Sequence, residues 1–397
     1  MPESPAATAA PSDFALRMRV FYSGFLLVGG VTVPFFPLWL QSRGLSAIEI
    51  ANVIAIPALL RVFLTPLAGI YADRAPSRRF ATITFSLPAA LIFLLAWTAH
   101  GFLPILIITG VAYTSYGLAQ PPAEALALTG VRRFGLDYGR MRLMGSLAFI
   151  VANLGSGALL GLFNGNSDAI FWSIAAALAG AAVVSFALPK TPPAIRALDD
   201  ASRRDTRPSL AVLADLGLLA VLLASGFAQG SQAMLNSFAS IHWQQLQFSG
   251  IQIGSLWAIG IVSEVSVFMW SRVVIRRTGP YALLVAGIIA SMVRWTAFPF
   301  ATDFLEFAIL QALHGLTFAA VYAGSQSLIA RIVPERSTAS VQGIFAMISQ
   351  GLLAAFTGLA GPIYQAVGVD GFFAMVPVAA LALVIALAGR RFIERTA

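Results

Sequence analysis

Long apolar stretches separated by short polar ones fill almost the whole chain. The apolar runs fall at about residues 20–40, 46–72, 80–98, 103–127, 141–163 and 168–188. Six more follow at about 213–240, 249–271, 280–300, 304–329, 338–363 and 370–389. Each is near the roughly 20 residues that a helix needs to cross the hydrocarbon core of a bilayer. In lipid every backbone group must be bonded inside its own segment, so the pattern predicts twelve membrane-spanning helices. The first run is long enough to span and reads as a retained helix, not a signal peptide. Residues 1–16, rich in Ala, Pro and Ser at their start, read as a disordered tail.

Composition narrows the class. Of 397 residues, 58% are hydrophobic and 11% charged, whereas a soluble domain carries about 25% charged residues. A soluble enzyme is excluded. The chain has no cysteine, which excludes disulfides and thiolate metal sites. Its three histidines, His100, His242 and His314, are scattered, so neither a metal nor a cofactor is expected.

The basic residues orient the spans. If the N-terminus is cytoplasmic, twenty-two of the 25 Lys and Arg residues fall in cytoplasmic segments and one, Arg43, falls outside. The remaining two, Arg61 and Arg294, lie within spans. This is a strong positive-inside bias, and it accounts for the net charge of +8 without nucleic acid. Trp39, Trp97, Trp172 and Trp243 fall at outer ends, where an interfacial aromatic belt would put them.

The one long polar connection, residues 189–212, divides the chain into an N-terminal half (17–188) and a C-terminal half (213–390), with 391–397 as a cytoplasmic tail. Shifting the sequence by 198 positions pairs Arg74 with Arg272, Arg78 with Arg276, Arg79 with Arg277, Arg133 with Arg331, Asp137 with Glu335 and Gly145 with Gly343. Such a repeat implies duplication. Two similar six-helix halves around a mid-membrane site are the architecture of alternating-access carriers.

Certain motifs carry a more specific likeness. Gly69-Ile-Tyr-Ala-Asp73-Arg74-Ala-Pro-Ser-Arg78-Arg79 resembles the cytoplasmic-loop signature of the major facilitator superfamily, although Pro76 and Ser77 stand where a glycine is usual. The resemblance implies a conformational latch formed by Gly69, Asp73, Arg74, Arg78 and Arg79. Tyr138-Gly-Arg140-Met-Arg142-Leu-Met-Gly145-Ser146, with Glu124 upstream, is similar to the phenylpropionate-permease branch and its relatives, the lactose/proton symporters. That similarity assigns Glu124 and Arg142 to a paired substrate site. Trp257-Ala-Ile-Gly-Ile-Val-Ser-Glu264, Val293-Arg294-Trp295 and Gln311-Ala-Leu-His314-Gly-Leu-Thr317-Phe318 extend the likeness through the second half, and Pro34-Phe-Phe-Pro-Leu-Trp-Leu40 begins it. Sugar symporters carry a carboxylate where Thr317 stands and a basic residue where Gln311 stands. These departures turn the expectation from sugars towards organic acids.

Ionisable groups inside spans are functional candidates whatever the family. Glu264, Arg294 and His314 lie on the eighth, ninth and tenth runs. A carboxylate whose proton affinity changes as an arginine moves away is what proton coupling needs, so Glu264 is the candidate proton carrier, with His314 as relay and Arg294 as partner. A static Glu264–Arg294 salt bridge is the alternative. Arg61, mid-span with no acid nearby in its own run, calls for a partner such as Glu264 or an anionic substrate as counter-charge, and guanidinium suits a carboxylate. Arg294 shares this candidacy. Gln229, Gln232 and Asn236 share one helix face and either line a pore or bond neighbouring helices. Tyr113 and Tyr116 either contact an aromatic ligand or pack. Pro121 and Pro122 predict a bend before Glu124, and His100 and His242 fall in outer loops without a role.

The expectation is an all-α, twelve-helix carrier of the inner membrane with both termini cytoplasmic, monomeric, and not an enzyme. It moves a small, aromatic or other organic acid with protons; a sugar or nucleoside symporter is the alternative, and drug efflux a weaker one.

Overall fold

A computed structural model of the chain describes residues 13–190, 214–334 and 337–396. The anticipated tail up to residue 12, most of the polar connection, and Glu335 of the repeat lie outside the described residues.

Everything regular in the described chain is helical. The helices are α1 (Phe14–Ser42), α2 (Ala47–Arg74), α3 (Arg78–Leu94), α4 (Phe102–Leu118), α5 (Gln120–Phe134), α6 (Tyr138–Leu162) and α7 (Ser167–Phe186). After the polar connection come α8 (Leu216–Gly230), α9 (Ala233–Gln245), α10 (Gly250–Thr278), α11 (Pro280–Ala297) and α12 (Phe304–Ala312). The last three are α13 (Val321–Ile332), α14 (Thr338–Val367) and α15 (Met375–Thr396). Taken with the short turns that join some of them, they form 11 stretches among the described residues long and apolar enough to cross a membrane. The last stretch, Ser340–Ile393, holds both α14 and α15, joined by a 3-10 segment at Gly368–Ala374. Helix α15 runs to Thr396, so the expected tail from residue 391 is helical as far as it is described.

Caps explain where the helices begin. Ser46 with Glu49, Ser249 with Gln252, and Asp303 with Glu306 each form a reciprocal capping box at the start of α2, α10 and α12. Asp137 caps α6 and Asp215 caps α8 through their side chains. Between α1 and α2, Gly44 takes a left-handed φ of 79°, a conformation open to glycine at little cost. Beside it, Arg43 donates to the Trp97 carbonyl at 3.1 Å and lies over the rings of Trp39 and Trp97. That contact holds Arg43 at the turn between α1 and α2.

Helix α1 packs on α6 and α7, and α3 packs on α4, α5 and α7. Helix α8 packs on α14 and α15, and α11 on α13 and α15. The two sets meet through α2 with α14, α6 with α10 and α1 with α9. Glycine makes the closest of these approaches possible. A Cβ at Gly250 would stand 2.6 Å from the Gly157 carbonyl oxygen, and one at Gly361 would stand 2.7 Å from Ala51 Cβ and 2.9 Å from Ile48 Cα. Gly254 lies equally close against the Asn153 carbonyl. All these contacts are at the end of the bundle that holds the capping boxes. Towards the other end, Gly69, Gly343 and Gly351 have nothing within 4 Å of where a Cβ would sit.

The aromatic belt needs correction. Trp172 is exposed, but Trp39 and Trp243 are fully buried. Trp39 stands among Phe36, Phe93 and Phe171, and Trp243 among Trp257, Phe298 and Phe307. Position along a span gives the depth of a side chain; which way it faces depends on the neighbouring helices. His242 likewise belongs to α9 and is buried against Phe298 and Phe307, not in a loop.

Candidate functional site

Three of the apolar stretches are broken near their middles. Ala119 separates α4 from α5 just before Pro121 and Pro122, as the prolines predict. Ser231 and Gln232 separate α8 from α9. A π-helical turn at Gly315–Ala320 separates α12 from α13. Irregular backbone at membrane depth is tolerated where it lines a cavity or is buried in protein, and discontinuous helices mark substrate sites in carriers. Two of the breaks border one cavity of about 740 Å³, open space included, lined by Val33, Phe149, Gln229, Gln232, Asn236, Trp257, Gly260, Ile261, Gln311, His314, Phe318 and Leu353.

A chain of polar groups crosses the wall of this cavity. Arg294, fully buried, donates to Gln311 Oε1, to Thr317 Oγ1 at 3.2 Å and to His314 Nδ1 at 3.1 Å. Guanidinium only donates, so His314 Nδ1 accepts, and the proton of the neutral ring is assigned to Nε2. That nitrogen faces Glu264 Oε2 at 3.7 Å, beyond hydrogen-bond range but within that of an ion pair. The alternative of a direct Glu264–Arg294 salt bridge is therefore not met: the imidazole stands between acid and base. The Glu264 side chain keeps 23% of its surface exposed.

Ser263 fastens this arrangement. Its hydroxyl donates to the Ala312 carbonyl and accepts from Gly315 N at 3.2 Å. One side chain of α10 thereby fills the gap that the π turn opens in the backbone ladder between α12 and α13. Loss of such bonds costs about 1–3 kcal/mol where groups stay buried. Ser263→Ala should thus lower the melting temperature of the purified protein by several degrees, while Ser263→Thr stays near the wild type. An unchanged melting temperature in the alanine variant would show that the hydroxyl does not carry the joint.

A second cluster gathers around Glu124. Tyr22 and Tyr138 each donate to Oε2 at 2.8 Å, and Arg142 donates to Oε1 at 2.7 Å, with Gln120 at 3.4 Å. Arg142 also donates to the Tyr138 hydroxyl at 2.9 Å. The expected Glu124–Arg142 pair is present, and a carboxylate with about four lone-pair sites is saturated by four donors. Sequence reasoning missed Tyr22, which lies 102 residues from its partner. Gln120 and Tyr138 sit four positions before Glu124 and Arg142, a helical spacing that signals contact. Arg142 is also near enough to Glu264 for the two charges to interact.

The other predicted residues fall as follows. Gln229, Gln232 and Asn236 line the cavity, and Gln232 also donates to the Thr317 carbonyl at 3.4 Å, so both readings of that face hold. Tyr113 packs on Phe36 and Phe93, and Tyr116 stacks on Phe25 with its hydroxyl on the Phe25 carbonyl at 2.5 Å. Packing is thus the reading that fits both, and neither lines the cavity. Arg61 lies against Gly117 of α4, not beside Glu264. In the loop motif, Arg78 is buried and donates to Thr129 at 2.7 Å, while Asp73 and Arg74 are exposed and Gly69 faces open space. The close helix contact expected at Gly69 is not made in this conformation. No group of three or more His, Cys, Asp or Glu able to hold a metal occurs among the described residues.

Similarity to known proteins agrees with this geometry. The chain is 27% identical to the "Probable 3-phenylpropionic acid transporter" of Escherichia coli (strain K12), over 87% of this chain and 90% of that one. It is 25% identical to the maltose permease of Geobacillus stearothermophilus, over 86% of this chain and 85% of that one. The crystal structure of the nucleoside transporter NupG superposes with a TM-score of 0.78 at 16% identity, covering 96% of this chain and 99% of that one. Residues 15–375 match the MFS_1 like family. With eleven apolar membrane-length stretches among the described residues and broken helices around an internal cavity, the chain is an integral membrane transporter of the major facilitator type, and it belongs to the MFS_1 like family.

Proposed function

We propose that the protein is a proton-coupled carrier for a small organic acid, built from twelve spans in two six-helix halves and working by alternating access. The observation that carries this reading is the contrast between two glutamates, Glu124 towards one end of its apolar stretch and Glu264 near the middle of its own. Glu124 is saturated by four donors, whereas Glu264 accepts no hydrogen bond among the described residues, has the imidazole 3.7 Å away, and keeps an exposed edge. A saturated carboxylate has no site left for a proton or a sugar hydroxyl. A carboxylate at the cavity wall, linked through a histidine to an arginine, can take up a proton and give it back as the arginine's distance changes.

The twelfth span follows from length. At 1.5 Å per residue, 54 helical residues would reach about 80 Å, far beyond a bilayer about 30 Å thick. The 3-10 turn at 368–374 therefore reverses the chain, and α14 and α15 each cross once. The positive-inside bias puts the capping-box end outside, in the inner membrane, with both termini cytoplasmic. The close glycine contacts between the two halves at that end support a state closed on the outer side.

Neutral side chains at 311 and 317, in place of further charges, favour an acid over a sugar, as does the likeness to a phenylpropionate transporter. The sugar reading keeps one support, the Glu124–Arg142 pair, together with likeness to a maltose permease. Thermal stabilisation of the purified protein by aryl acids, maltose, lactose and nucleosides decides between them. Stabilisation by 3-phenylpropionate or another aryl acid is expected. Stabilisation by a sugar or nucleoside alone would transfer the role to the second reading.

A further inference from the structure

Arg61 lies near the middle of α2, about 20 Å from either end of the helix at 1.5 Å per residue. Lipid headgroups are out of reach at that depth, and snorkelling cannot bring the guanidinium to them. An ionised side chain there is costly unless it is paired. Yet its Nε is buried without a hydrogen-bond partner, and no carboxylate among the described residues lies within ion-pair distance of it. The carboxylates nearest in role are committed: Glu124 holds four donors, and Glu264 faces His314. Tyr116, the adjacent polar group, spends its hydroxyl on the Phe25 carbonyl.

The fold nevertheless keeps room for this charge. Position 117 on α4 is glycine, and a Cβ there would stand 2.9 Å from Arg61 Nη1 and 3.2 Å from Nε. Any other residue would push the guanidinium away. The second mid-span arginine is held differently: Arg294 is fully buried, is bonded through its Nη groups to Gln311, Thr317 and His314, and lies 4.9 Å over the Trp295 ring, although its Nε too lacks a partner. Its Nη groups are engaged by neighbouring side chains, whereas the guanidinium of Arg61 has no hydrogen-bond partner among the described residues.

Resting on the organic-acid reading above, we infer that Arg61, seated over Gly117, is the counter-charge for the carboxylate of the transported acid. The carboxylate then docks between α2 and α4 of the first six helices, and the proton relay stands opposite on α10 and α12. Bidentate pairing would account for an arginine, where a lysine would supply charge alone.

The test compares binding of 3-phenylpropionate and its uncharged amide, 3-phenylpropanamide, to the purified full-length protein at neutral pH, by titration calorimetry. Wild type should prefer the acid by about 10- to 150-fold, as for a hydrogen bond to a charged group. Arg61→Gln should bring the two ligands to near-equal affinity, and Arg61→Lys should keep part of the preference. Gly117→Ala, which retains the charge but shifts it, should weaken acid binding and leave the amide unaffected. An Arg61→Gln variant that retains the wild-type ratio would overturn the assignment while leaving the carrier an acid carrier. Failure of wild type to prefer the acid would instead overturn the organic-acid reading itself.

Discussion

Glu264→Gln is expected to abolish accumulation of substrate against its gradient while exchange across the membrane continues at a rate near that of wild type. The amide fills the same volume beside His314 but cannot carry a proton at any pH met in a cell. Exchange needs only substrate binding and the swing between states. Accumulation needs the proton to be picked up on one side and released on the other, and among the described residues only Glu264 combines mid-span depth, an unsaturated carboxylate and a titratable neighbour. Radiolabelled uptake into right-side-out vesicles, with and without substrate inside, separates the two activities. Proton-driven accumulation at the wild-type level in Glu264→Gln would move the coupling role to another residue.

A comparably large effect is expected at the opposite end of the bundle. The Cβ of Gly157→Val would drive into the carbonyl oxygen of Gly250, a backbone atom with no freedom to rotate aside. Overpacking of this kind costs about 1–3 kcal/mol, enough to shift a two-state equilibrium by roughly 5- to 150-fold. The outer ends of α6 and α10 should then part, favouring a state open outside and stalling transport. Because the native chain has no cysteine, a single Gln232→Cys in the cavity can report the change. Its labelling by an impermeant maleimide added to intact cells should rise sharply in the Gly157→Val background. Unchanged labelling, with transport intact, would show that the glycine contact does not form the outer closure.

The sequence made the helices legible because lipid imposes one simple rule: twenty apolar residues and few charges. It also exposed the costly residues, since Glu264, Arg294 and His314 stand out against apolar neighbours. What it left open was facing. Trp39 and Trp243 occupy span ends as a lipid belt would, yet close packing draws both inward. Arg294 and Glu264 seemed natural partners by depth alone, but the π turn at Gly315–Ala320 sets His314 between them. Tyr22 could not be linked to Glu124, because no local pattern connects residues 102 positions apart. Gln120 and Tyr138 could have been found from their helical spacing alone. The glycine contacts were similarly hidden: Gly157 and Gly69 look alike in sequence, and only the packing shows that the first meets a neighbouring backbone and the second does not.

The central claim, transport of an organic acid driven by protons, is tested most directly by the initial rate of 3-phenylpropionate uptake into proteoliposomes with an inward proton gradient. Protein-free liposomes are the necessary control, because a weak acid also crosses lipid in its neutral form and accumulates passively in an alkaline interior. The account predicts a saturable, protein-dependent component that rises with the gradient and is lost in Glu264→Gln. A protein-dependent uptake indifferent to the gradient, or one that carries maltose or a nucleoside and not the acid, would contradict it.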